Sequence, residues 1–349
     1  MKDEKLAEPK QLFVHEPDCQ LRCARFSPDG QVLFAAGLDA SIRRWKTAED
    51  KLMELPAING HHGWTSKVLP HPNRKQLISV DTWGQLRCTA FENDKPKTLW
   101  QHDEAHDGWI RDVGVSGDGT RIATCGRDRA VRIWSAEGKL LNERMAAEDV
   151  YAVTFAAERN SVVFGDEKGA IHLWNPRADK MVREFDGSQF YKYDRIQEVA
   201  GLQGFCWLDN GATLVAFGTK PEKGATVRSV PLIRLFDLET GKLKQSIEVG
   251  TNKYGFIHDL AVHPDGYLMG TASGTPGSGL LFFIRPGEKE PFYQHTKVSN
   301  LHSISLHPDH RRIAFTATNR RSNGNGRRLD ENGEYPANNS PIHVFELPA

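Results

Sequence analysis

Five cysteines and fourteen histidines are the side chains of this 349-residue chain best suited to hold a metal or to serve as nucleophile and base. Their spacing points elsewhere. Cys19, Cys23, Cys88, Cys125 and Cys206 form no CxxC pair, and no Cys/His set has zinc-finger spacing. His61, His62 and His71 are too scattered for a ligand set, and no HExxH places two imidazoles one helical turn apart. An odd cysteine count at irregular intervals is not a disulfide framework, so buried strand thiols are expected. The glycines of GSGL (277–280) and GNGR (324–327) lack a GxxxxGK[ST] motif and a following helix that would present backbone N–H groups to phosphate. No Ser/His/Asp set or carboxylate pair singles itself out. The expectation is therefore a protein with no catalytic residue, no metal and no cofactor.

Other residues are suited to recognition. The tetrapeptides HHGW (61–64) and HDGW (106–109) recur, and DTWG (81–84) adds a third indole. Trp64, Trp83 and Trp109, with Arg111 beside the last, are the residue types that dominate protein interfaces; alternatively, Trp64 and Trp109 pack inside the protein. YKYDR alternates Tyr191 and Tyr193 with charge and ends at Arg195. This pattern suits contact with a peptide or a sugar, and equally a segment pinned by its own hydroxyls. Lys220 stands in TKPEKGATVRSVP. A segment rich in Arg, Asn and Gly, Asn319–Pro341, supplies Arg320, Arg321, Asn323, Asn325 and Arg327.

Composition narrows the partner. The 45 basic and 45 acidic side chains cancel, leaving no global field for nucleic acid or an acidic membrane. The four arginines of the 319–341 segment are nearly balanced by Asp330, Glu331 and Glu334. Hydrophobic residues make up 39% and charged residues 26%, as in globular proteins, and no apolar run approaches the ~18 residues of a membrane span. MKDEKLAEPK contains no apolar signal segment. A protein or peptide partner, a cytoplasmic location and a monomeric state are expected.

These residues must be positioned by a repeat. WIRDVGVSGDGTRIATCGRDRAVRIW (109–134) reads as three alternating strands separated by two tight turns, and LRCARFSPDGQVLFAAGLDASIRRW (21–45) is a second copy. In both, a Trp follows an Asp by six residues: Asp39 to Trp45 and Asp128 to Trp134. Turn marks recur at Ser27, His71, Ser116, Ala157, Leu208, His263 and His307, at intervals of about 40 to 55 residues.

The repeat resembles that of WD40 β-propellers, in which units of ~40 to 45 residues each form a four-stranded blade. The chain looks like standalone bacterial WD40 proteins. The resemblance implies an all-β fold: a seven-bladed propeller over residues 12–349, preceded by a polar tail over 1–11. It also implies that the last blade takes a strand from the N-terminus, for which Leu12–Glu16 beside Ile342–Leu347 is the candidate. The family's His, Ser/Thr, Asp, Trp network is expected complete only in blade three, as His106, Thr124, Asp128 and Trp134. Thr89 stands where blade two would have Trp.

In the family the d-to-a and b-to-c connections share the top face. That places Gly187–Gln203, Thr219–Pro231, Ser273–Gly279 and Asn319–Pro341 there as long loops, while the a-to-b turns stay near four residues. Loops longer than ~12 to 15 residues are usually functional or disordered, although propellers also tolerate neutral insertions. The resulting expectation is a non-enzymatic protein-binding scaffold acting through its top face. The alternative is a hydrolase- or lactonase-type propeller, or a small-ligand binder, working at the channel mouth.

Overall fold

The computed structural model describes residues 8–72, 75–91, 95–156, 161–194, 196–222, 228–319, 329, 331–335 and 337–348. Alternation of apolar and polar residues between tight turns yields seven four-stranded antiparallel sheets, six of which pair their strands in sequence order. Blade one comprises Leu21–Phe26, Val32–Gly37, Ile42–Thr47 and Leu52–Ile58 as strands a to d. Blade three comprises Ile110–Val115, Arg121–Gly126, Ala130–Ser135 and Leu140–Met145. Each strand a contacts the strands a of both neighbouring blades, and that of blade seven (Ser303–Leu306) returns to that of blade one. The sheets therefore form a closed ring around a channel.

The outermost strand of blade seven is the first strand of the chain. Lys10–His15 pairs antiparallel with Ile342–Glu346, with Lys10 opposite Glu346 and His15 opposite Ile342. The expected closure is borne out, with the strand beginning at Lys10 rather than Leu12. Leu12 and Phe13 pack against the apolar cluster between blades seven and one, which contains Leu33, Trp45 and Val344.

Seven such clusters occur among the described residues, one between each pair of adjacent blades. A propeller blade buries both faces, so its central strands are apolar nearly throughout. Val32–Gly37 and Gly279–Ile284 are examples, buried along almost their whole length.

The a-to-b turns hold the bottom face. In blade three the Ser116 hydroxyl donates to Asp118 at 2.6 Å and accepts from the Arg121 N–H, while Gly119, at φ +72°, turns the chain as only glycine does freely. Where the turn opens with histidine, the imidazole Nε2 reaches a carbonyl in the next blade's turn. His71 meets Gly119, His263 meets His310, and His307 meets Gly30. The fourth turn begins at Ala156 rather than Ala157, because the Ala156 N–H bonds the Ser161 carbonyl as the Ser116 N–H bonds that of Arg121.

The blade-three network is complete as expected. His106 bonds Asp128 at 2.8 Å and Thr124 at 2.7 Å, and Trp134 Nε1 donates to Thr124 at 2.9 Å. Although burial opposes it, bonds from His106 and Arg132 hold Asp128 below the usual carboxylate range. Blade two keeps more of the pattern than its divergent sequence suggests: His61 bonds Ser79 at 2.7 Å and Asp81 at 3.3 Å. Thr89 does occupy the Trp position, opposite Leu77 as Trp134 is opposite Ile122. Its hydroxyl is buried and unpaired.

Asp128→Ala is accordingly expected to cost about 1–3 kcal/mol by stranding His106 and Arg132. Asp118→Ala, in an exposed turn, should cost less. Denaturant midpoints for the two variants test this order, and equal midpoints would contradict the network's role.

Two segments expected as top-face loops are instead paired strands. Within Gly187–Gln203, a short 3-10 turn at Ser188–Phe190 leads into a hairpin of Tyr191–Asp194 with Gln197–Ala200, anchored by fully buried Phe190. Thr219–Pro231 continues the blade-five ladder, with Thr219 opposite Pro231, Lys220 opposite Val230 and Glu222 opposite Arg228. Extending the ladder satisfies backbone groups that a loop would leave to water. The blade-six connection joins Leu268–Ser273 to Gly279–Ile284, and that of blade seven joins Arg312–Thr316 to Ile342–Glu346, with residues 320–328, 330 and 336 outside the described residues.

Candidate functional site

Strand a of each blade lines the channel, and the same irregularity recurs near its start. In blade one Leu21 pairs with Gly37 and Cys23 with Ala36, leaving Arg22 as the extra residue of a β-bulge. The equivalent shifts skip Ser66, Arg111, Tyr151, Gln203 and His258 in blades two to six. In blade seven His302 stands just before the ladder, its N–H bonding the Thr316 carbonyl. A bulge re-aims one side chain off the alternating pattern. Here it gives each blade one residue on a common ring, and all seven line a single cavity of about 400 Å³.

Charge in this cavity is uneven. Deeper in the channel Arg25 grips Asp259 in a bidentate contact at 2.7 and 3.1 Å, and Asp259 also accepts the Ile304 N–H. Lys67 lies 3.5 Å from Asp112, whose carboxylate accepts the Val153 N–H. Burial pushes Asp112 up, against the pull of Lys67. Nearer the mouth, Arg22 and Arg111 have no ion pair among the described residues. Both lie on the Trp109 ring, with guanidinium carbons 5.1 and 4.0 Å from its centroid, and Arg111 also lies over Tyr151 at 4.6 Å. Burial and the charge of Arg111 lower the Arg22 pKa. Burial likewise pushes His258 down to about 4 and His302 to about 3, with Arg22 adding to both shifts, so the two imidazoles are neutral near pH 7.

The expected recognition residues separate into three places. Trp109 and Arg111 belong to the channel mouth. Trp64 and Trp83 stand together on the top of blade two, 55% and 68% exposed, joined through the Thr82 N–H bond to the Trp64 carbonyl. Tyr191 and Tyr193 are on the hairpin between blades four and five. Tyr191 is pinned there by a hydroxyl bond to Glu198, whereas Tyr193 is 63% exposed. Lys220 lies on a strand and pairs with Glu248. Arg195, Arg320, Arg321, Asn323, Asn325 and Arg327 lie outside the described residues. At the base of the 319–341 segment, the Asn319 N–H bonds the Asn339 carbonyl, and its side chain donates to the Ala337 carbonyl.

Sequence reasoning missed Arg22, Tyr151, Gln203, His258 and His302. A signal was present: every ring residue precedes its blade's a-to-b turn mark by five positions, once the fourth mark is set at Ala156. The described residues contain no cluster of three His, Cys, Asp or Glu that could hold a metal. None of the hydroxyls or thiols lining the cavity hydrogen-bonds a histidine.

Seven blades, a borrowed closing strand and the His–Thr–Asp–Trp network define a seven-bladed propeller built of WD40 repeats. The family described as "WD domain, G-beta repeat" matches residues 8–46 and 97–135. WD repeat-containing protein 55 of Rattus norvegicus is 27% identical over 189 residues, 53% of this chain and 46% of that protein. The protein of the same name from Mus musculus is 28% identical over 165 residues, 46% of this chain and 40% of its own length. Small ribosomal subunit protein RACK1y of Oryza sativa subsp. japonica is 25% identical over 167 residues, 46% of each chain. The chain thus spans less than half the length of the curated relatives it matches, and these three are eukaryotic. WD repeat proteins of this kind support a protein-interaction scaffold in general terms. No helix is long and apolar enough to cross a membrane among the described residues.

Proposed function

We propose that the protein is a non-catalytic scaffold that binds a protein or peptide through the face carrying the d-to-a and b-to-c connections. The observation that carries this reading is the exposure of large aromatics on that one face: Trp64 and Trp83 over blade two and Tyr193 on the hairpin before blade five. An exposed indole costs free energy in water and regains it when a partner covers it. The Asn319–Pro341 segment, part of which lies outside the described residues, is proposed to supply arginines and Asn/Gly residues for a polar rim on the same face. The partner is a polypeptide rather than nucleic acid or a membrane, the chain acts as a monomer, and it works in the cytoplasm. The relative from rice, a small ribosomal subunit protein by name, shows one setting in which such a repeat protein is held in an assembly.

Trp64→Ala with Trp83→Ala should leave the melting temperature within about 2 °C and weaken partner capture at least tenfold. Replacing residues 319–341 with a short Gly/Asn turn should likewise keep the fold and lower capture, since no core residue is lost. Quantitative pull-downs with both variants provide the check. Unchanged recovery of the same partners by both would return these features to neutral surface.

The cavity at the channel mouth supports a second reading, a small-ligand site, which is compatible with the first because it uses the centre rather than the rim.

A further inference from the structure

We propose that the channel mouth is an anion site, in which Arg22 and Arg111 hold a carboxylate or phosphate group. The proposal stands apart from the scaffold reading and does not depend on it.

The first support is the charge balance. Arg25 is answered by Asp259 and Lys67 by Asp112, but the cavity holds two further guanidinium groups with no carboxylate within ion-pair distance among the described residues. Arg111 is half-buried and Arg22 is exposed at the mouth, and the two like charges repel one another across the Trp109 ring. An anion between them would remove that repulsion.

The second support is preorganisation. Arg111 is held between the faces of Trp109 and Tyr151, and Arg22 lies on the same indole. Stacking fixes the plane of a guanidinium while leaving its N–H edge available for a bidentate contact. Arg111 Nε and Trp109 Nε1 are buried without hydrogen-bond partners, two donors that the folded protein leaves unused. Tyr151, His258 and Gln203 stand on the same ring and can supply neutral hydrogen bonds.

The third support is that the arrangement is built. Arg22 and Arg111 occupy the bulge positions of their strands, where the register of strand a against strand b shifts and one side chain is re-aimed. The cavity, at about 400 Å³, is within the range of small-ligand pockets, roughly 300–1,000 Å³.

The shared chemistry is a planar carboxylate or a phosphate. It can come from a free small anion or from an acidic or phosphorylated side chain reaching in from the top.

The test uses the full chain at constant ionic strength, with citrate and inorganic phosphate as the free anions. A short phosphoserine peptide and its unphosphorylated form represent the other source, and chloride serves as the screening control. Saturable binding of citrate, phosphate or the phosphopeptide is expected by calorimetry, weakened at least tenfold in R22Q and in R111Q and unchanged in D118A, a change in the bottom-face turn of blade three. Binding should also raise the pH at which His258 titrates, read by NMR, because an adjacent anion favours the imidazolium. Small anions binding without the phosphopeptide would assign the site to a free metabolite, and the reverse would assign it to a polypeptide side chain. Should R111Q fail to fold, R111K retains the charge without the planar fork, and R22Q carries the comparison alone. The proposal is overturned if no probe binds the wild type beyond the chloride control, or if R22Q binds every probe as the wild type does.

Discussion

Deleting residues 1–17 is expected to lower unfolding stability by at least about 2 kcal/mol and to produce soluble aggregates that the intact chain does not form. The deletion removes the strand Lys10–His15 and with it Leu12 and Phe13 from the cluster between blades seven and one. Full burial of one such side chain is worth about 1.5–3 kcal/mol, and the two half-buried ones together contribute about that much. The larger consequence is geometric: Ile342–Glu346 becomes an unpaired edge, and an exposed strand edge is a template for pairing with another chain. Thermal melting with size-exclusion chromatography distinguishes the outcomes. A truncated protein that melts at the same temperature and elutes as the intact one does would remove closure from the account of stability.

Acidification from pH 7 to pH 4.5 should destabilise the protein steeply, beginning well above the carboxylate range. Burial pushes His258 and His343 down to about 4 and His302 to about 3, whereas an unfolded chain returns them to about 6.5. Below pH ~6.5 the unfolded state therefore binds protons that the folded state does not. Stability is complete above that pH and is lost as the pH falls towards the folded values. Between pH 6.5 and 4.5 each of the three groups forfeits roughly 2–3 kcal/mol, so together they rival the ~5–15 kcal/mol of a typical domain. Denaturant midpoints across this range check the effect, and His258→Gln should flatten the dependence. A midpoint constant from pH 7 to 4.5 would contradict the burial of these imidazoles.

The repeat was legible because it is written in turn chemistry. SPDG and SGDG need Ser and Asp to bond local N–H groups and Gly to take a positive φ, so the blades could be counted without any contact information. Trp134 and Asp128 were legible through the family's network: Asp128 bonds His106 directly, and Trp134 reaches the same histidine through Thr124. The channel ring was harder to see. Its seven residues share no single chemical type, and six of them are united by a register shift against strand b, a property of pairing rather than of composition. The paired extension Thr219–Glu222 was missed because Lys, Pro and Glu read as loop residues. The ladder opposite them overrode that local preference, as tertiary context commonly does in strands.

The closing strand also sets an order of events during synthesis. Lys10–His15 is made about 330 residues before its pairing partner, Ile342–Glu346. At ~5–20 residues per second, roughly 15 to 70 seconds separate the two. Throughout that interval six blades can assemble in order while an alternating, half-apolar strand waits without a neighbour. Whatever shields that strand on the ribosome, whether a chaperone or its own polar flank, acts on the slowest step in making this ring.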